Sequence, residues 1–200
     1  MVGSSSEGSK KRLVVASSNS GKIAELVELL GDRYLVEQRP ADLPETIEDA
    51  DTLEGNAQKK AQEVTDHTSA TALADDTGLF VTALGGRPGV RTARYAGEDA
   101  DNAANIAKLL GELAGSDDRS AEFRTVIALT EPDGTVQLST GTVAGKITEA
   151  VSGEAGFGYD PVFVPDEGDG RTFAEMTSAE KGAISHRGRA LRGLLDQLDS

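Results

Sequence analysis

Short apolar runs alternate with stretches of helical periodicity along this chain, and that alternation restricts it to folds in which helices cover a sheet. Residues 12–17 (RLVVAS) read as a short buried strand. Beyond the polar turn Ser18-Asn19-Ser20-Gly21, residues Ile23, Leu26, Val27 and Leu30 share one helical face. A second strand is expected over 34–38, an acidic loop over 42–51 and a helix over 52–66. Residues 71–74 predict a strand that stops at Asp75-Asp76-Thr77-Gly78, with another over 79–84. A glycine-rich loop (85–97) and a helix (100–113) follow. Residues 121–131 and 135–144 flank Pro132-Asp133-Gly134, which is hairpin chemistry. A brief strand over 161–165 precedes Thr177-Ser178-Ala179-Glu180, a capping-box pattern. The last apolar stripe is Ala190, Leu191, Leu194, Leu195 and Leu198. One hairpin inside an interleaved pattern predicts an α/β fold with a mixed sheet.

Two hundred residues suffice for one compact unit with a real core. Residues 1–10 lack the apolar core of a signal peptide and read as a disordered leader, leaving 11–200 as a single domain. The net charge of −14 argues against nucleic acid and anionic membranes, which need a basic face. No apolar run approaches the roughly 20 residues that span a bilayer. The chain has no cysteine, so it can hold neither a disulfide nor a thiolate metal site, and the cytoplasm is its expected compartment.

Four segments carry candidate chemistry. In Ser17-Ser18-Asn19-Ser20-Gly21-Lys22, a turn opens a helix, where unpaired N–H groups and the macrodipole favour a phosphate. The spacing of a Walker A loop is absent, and an ordinary polar turn fits the same residues. Asp75-Asp76, expected at a strand end, suits magnesium, which takes oxygen ligands; Glu45, Glu48, Asp49 and Asp51 are further carboxylates. A solvated acidic turn is the plainer alternative. In Gly156-Phe157-Gly158-Tyr159-Asp160-Pro161, glycines allow close backbone approach and an aromatic face can stack on a base. Tyr159 and Phe163 fit a core role equally well. Lastly, Lys181, His186, Arg187 and Arg189 concentrate cations at a helix start, against the dipole, and so call for an anionic partner. Pairing with the acidic body would also serve. His67, in a polar loop, receives no role.

Taken together, the stretches VVASSNSGKIAEL, GNAQKKA, LADDTGLFVTALGGRPGVRTARYAG, GFGYDPVFVP and AEMTSAEKGAISHRGRAL resemble, in order, the inosine triphosphate pyrophosphatases, also described as dITP/XTP or non-standard purine NTP pyrophosphatases. The resemblance implies an elongated mixed sheet with flanking helices, two lobes around a central cleft, and a homodimer. It implies Mg2+-dependent hydrolysis of ITP, dITP or XTP to monophosphate and pyrophosphate. By motif, Ser17, Ser18, Asn19, Ser20, Gly21 and Lys22 would bind the triphosphate. Asp76 would hold magnesium and accept a proton, supported by Asp75 and Glu48, and Thr77 would touch substrate. Phe157, Gly158, Tyr159 and Asp160 would line the base pocket, completed by Lys181, His186 and Arg187. Gly55 stands where the family often has glutamate, Ser18 where glycine is common, and Thr77 where serine is frequent. A pyrophosphatase of related fold acting on pyrimidine or modified nucleotides, and a nucleotide-binding protein without catalysis, are the alternatives.

Overall fold

The computed structural model describes residues 10–17, 23, 26, 27, 30 and 33–200. The expected leader therefore lies outside the described residues except for Lys10, as do Ser18, Asn19, Ser20, Gly21 and Lys22. Ile23, Leu26, Val27 and Leu30 have helical backbone, with Leu26 and Leu30 buried as the periodicity predicts.

A seven-stranded mixed sheet forms the centre. Strands β1 (Lys11–Val15), β2 (Tyr34–Gln38) and the start of β3 (Thr71–Val81) are parallel. β3 then pairs antiparallel with β5 (Ser120–Thr130), β5 with β6 (Val136–Ile147), and β6 with β7 (Phe163–Pro165). The two-residue β4 (Pro88–Gly89) joins the far end of β3. The hairpin predicted around Pro132-Asp133-Gly134 is the β5–β6 pair. Beyond the helical residues around Leu26, four α-helices lie wholly within the described residues: α1 (Leu53–Thr68), α2 (Asn102–Glu112), α3 (Ser178–Ile184) and α4 (His186–Leu198). Thr177 and Glu180 make the expected capping box on α3. Ser185 ends that helix and caps the next, its hydroxyl accepting from the Gly188 N–H at 3.1 Å.

Side chains alternate across a sheet, and this alternation sorts the core. Ala74, Val126 and Ala128 pack against Leu53, Ala57 and Ala61 of α1. Their sequence neighbours Leu73, Ile127 and Leu129 pack against Ala190, Leu191 and Leu194 of α4. The two helices therefore cover opposite faces. α4 lies close to the sheet because Gly141 of β6 has no side chain: a Cβ there would fall 2.1 Å from the His186 carbonyl oxygen. A further apolar cluster, with Leu79, Ile106, Leu109, Phe123, Phe163 and Phe173, fills the far end.

Two expectations need correction. Asp75-Asp76-Thr77-Gly78 does not end a strand; β3 runs straight through it, paired residue by residue from Ile127 back to Arg124. Aspartate and glycine are poor strand formers, but here Asp75, Asp76 and Thr77 find partners on a covering helix or on the neighbouring strand. His67 is not in a loop; it sits in the last turn of α1, with Nε2 3.6 Å from an Asp42 carboxylate oxygen.

Candidate active site

The cleft begins as a gap in the sheet. Along one edge β3 is fully paired with β5. Along the other, β1 pairs only as far as Leu73 and β4 resumes only at Leu79. Residues 74–78 thus have no strand beside them on that edge among the described residues. A cavity of about 370 Å³ opens at this gap, and Ser17, Glu48, Lys60, Asp75, Asp76 and Thr77 line it together with Phe157, Asp160, Lys181, His186 and Arg187. Gly158 and Tyr159 reach it too.

Asp75 and Asp76 are adjacent, so strand geometry turns them to opposite faces. Asp76 faces α1. Its Oδ2 accepts from Asn56 Nδ2 at 3.1 Å, and its Oδ1 lies 3.1 Å from Lys60 Nζ. Lys60 also reaches Glu48 Oε1 at 2.8 Å, so two carboxylates converge on one ammonium. Arg94 donates to the Glu48 carbonyl at 2.6 Å and anchors the acidic loop at that point. Burial pushes the Asp76 carboxyl above its ordinary pKa; Lys60 opposes the rise and Glu48 adds to it. Burial also works against the Lys60 ammonium, yet Asp76, Asp75 and Glu48 outweigh it and hold that pKa above the usual lysine value.

Asp75 faces α4 instead. Arg187, at the start of that helix, brings Nη2 to 3.2 Å and Nε to 3.3 Å from Asp75 Oδ2, and both side chains are buried. The cation that the helix dipole disfavours thus has an internal anion. Lys181 has one as well, donating to Asp160 Oδ2 at 2.6 Å. The same carboxylate oxygen accepts from the Phe157 N–H at 2.8 Å and closes the glycine-rich loop. That loop depends on Gly156, whose φ of +78° and 2.2 Å Cβ approach to Asp160 exclude a side chain. Phe157 is left half-buried beside two cations, with Lys181 Nζ 4.7 Å and the Arg187 guanidinium 5.3 Å from its ring centre. Tyr159 is buried and donates to the Thr92 carbonyl at 3.0 Å. Phe163 belongs wholly to the core, between Phe123 and Phe173.

Sequence reading missed Asn56, Lys60, Arg94 and Thr125. Asn56 and Lys60 left a signal: they stand four apart, one helical turn, beside the apolar stripe Leu53, Ala57, Ala61 and Val64. A wholly buried asparagine in the first turn of a helix needs a polar partner for its side chain. Arg94 and Thr125 left none, because the groups they meet at the cleft, Glu48 and His186, are remote in sequence.

The arrangement is an acid-rich half and a cation-and-aromatic half sharing one cleft. A family model described as the Ham1 family matches residues 13–197. A protein of Shouchella clausii named dITP/XTP pyrophosphatase is 45% identical over 192 residues, which cover 94% of this chain and 96% of that one. One of the same name in Geobacter sulfurreducens is 47% identical over 193 residues, with the same coverage of each chain. The solved Staphylococcus aureus Ham1 protein superposes with a TM-score of 0.85 at 40% identity, over 94% of this chain and 98% of that one. A Mycobacterium abscessus structure described as nucleoside-triphosphatase / dITP/XTP pyrophosphatase gives 0.73 at 43% identity, over 92% and 98%. A match that runs nearly end to end in both sequence and fold makes this chain a member of the Ham1 family.

Proposed function

We propose that residues 11–200 act as one Mg2+-dependent enzyme that hydrolyses non-standard purine nucleoside triphosphates (ITP, dITP or XTP) to the monophosphate and pyrophosphate. The observation that carries this reading is the shared cavity, where the Asp76–Lys60–Glu48 cluster and the Phe157–Lys181–Arg187 cluster face the same space. The names of the relatives support the reaction.

The donor set fits magnesium. Glu48 and Asp76 already converge on a cation, the Lys60 ammonium, and both offer hard oxygen atoms. No group of three or more His, Cys, Asp or Glu side chains that could hold a metal occurs among the described residues, so waters and phosphate oxygens would have to complete the shell of an ion held by Glu48 and Asp76. When bound, the metal supplies neutralising charge on the phosphates. Asp76, as the carboxylate, takes the proton of a water attacking the α-phosphorus; the bond to the β-phosphate oxygen breaks and pyrophosphate leaves. Lys60 and Lys181 oppose the charge that builds on the phosphates. The sequence pattern adds Lys22 to this role and assigns the triphosphate contacts to Ser17, Ser18, Asn19, Ser20 and Gly21. Asp75 is assigned to holding Arg187 rather than the metal, since it faces the other side of the sheet from Asp76. Thr77 borders the substrate, and Phe157 gives the base a stacking face beside Gly158, Tyr159, His186 and Arg187.

A cytoplasmic homodimer completes the proposal, on the family resemblance; sedimentation equilibrium checks the assembly. The reaction itself is tested by pyrophosphate release from ITP, XTP, GTP and ATP, with and without Mg2+. Metal-dependent release that favours ITP and XTP is expected. Equal kcat/KM for all four would refute base selection, and nucleotide binding without release would refute catalysis.

A further inference from the structure

A line of hydroxyls connects the two buried groups that flank the α4 side of the cleft. Thr77 Oγ1 lies 3.4 Å from Asp75 Oδ2 and 2.7 Å from Thr125 Oγ1. Thr125 Oγ1 lies 2.6 Å from His186 Nδ1. Thr77 and Thr125 are direct partners in the β3–β5 register, so one face of the sheet presents both hydroxyls to α4. Thr125 and His186 are buried, and the Phe123 ring stacks on the imidazole at 4.7 Å and 26°. One aromatic face therefore fixes the ring plane, and one hydroxyl fixes its edge.

The direction of the line follows from its Asp75 end. Asp75 Oδ2, beside the buried Arg187 guanidinium, accepts from the Thr77 hydroxyl, and each hydroxyl has one proton to give. Thr77 donates to Asp75 and must then accept from Thr125. Thr125, its proton committed, must accept from His186. We propose that Thr125 is a positioning residue: ordered through Thr77 by Asp75, it holds His186 as the Nδ1–H tautomer and leaves the lone pair of the neutral ring on Nε2. The consequence for selectivity rests on the reading that this cavity takes a purine base. A base edge presented to Nε2 is then read as a donor. Hypoxanthine and xanthine offer a protonated N1 there, whereas adenine offers a lone pair. The opposite tautomer would reverse that preference.

The tautomer can be read without nucleotide or metal, which separates this test from that of the activity. The chain has two histidines, so H67Q assigns the imidazole signals. Nitrogen–proton correlation spectra, taken where the ring is neutral, are expected to show His186 protonated at Nδ1. T125V, nearly isosteric and equally suited to a strand, is expected to lose that preference, and T125S to keep it. Should T125V fail to fold, T77V cuts the line one link earlier and is expected to weaken the same preference. An Nε2–H ring in the parent protein, or an unchanged tautomer in the folded threonine variants, would overturn the proposal. The ratio of kcat/KM for ITP over ATP is expected to fall about tenfold in T125V, the scale of one hydrogen bond, and to recover in T125S. A tautomer that shifts as expected beside an unchanged ratio supports the hydroxyl line and places the failure in the base reading.

Discussion

Lys60 Nζ reaches both Glu48 and Asp76, so removing the ammonium leaves two carboxylates facing each other with little water to screen them. K60M is expected to lose roughly 3 kcal/mol in urea unfolding, the scale of a broken buried pair. Millimolar Mg2+ is expected to raise the Tm of K60M more than that of the parent, because the metal can stand where the ammonium stood. Equal shifts would deny that these acids hold the ion. The same variant carries a pH signature. Burial sets the folded pKa of Asp76 above its unfolded value, so the charged form costs stability as pH rises through the folded value, and acid removes that cost. Without Lys60 only the Asn56 hydrogen bond still opposes the rise. The acid limb of kcat/KM is therefore expected at higher pH in K60M, and the stability deficit is expected to shrink as the solution is acidified. A limb that stays in place would separate Lys60 from Asp76.

Strand β3 explains what the sequence made legible and what it hid. Its apolar flanks and the hairpin that pairs with it are plain in the residue pattern. Its continuity through Asp75-Asp76-Thr77-Gly78 is not, because the partners that satisfy those polar side chains lie on α1, α4 and β5, 16 or more residues away. The alternation that divides the two acids follows from strand geometry once the strand is known to continue. Arg187 and Asp75 are expected to behave as a coupled pair: R187M alone should cost roughly 3–5 kcal/mol, and D75L R187M together clearly less than the sum of the singles. Additive losses in urea unfolding would show that the pair does not interact. Gly141 is the other element-scale device. G141A forces a methyl group into the first turn of α4 and is expected to cost about 3 kcal/mol by overpacking. Unchanged stability would mean that the close helix–sheet contact is not needed.

Across the whole molecule, the site exists because β1 stops short and β4 resumes late along the same edge of β3. Sequence patterning supplied the other strands but not β4, which falls in the expected glycine-rich loop, and it supplied most of the residues at that gap, since the glycines, acids and cations cluster in recognisable stretches. It could not supply the gap itself, which depends on register between strands far apart in the chain. The proposed activity therefore requires that the acid-lined and aromatic halves of the cleft serve a single nucleotide. Binding and turnover of ITP by D76N and F157A, measured side by side, test it most directly. D76N is expected to bind ITP and release no pyrophosphate. F157A is expected to keep turning over with KM raised about tenfold, the scale of one lost stacking contact. Near-parent kinetics in either variant would contradict the claim.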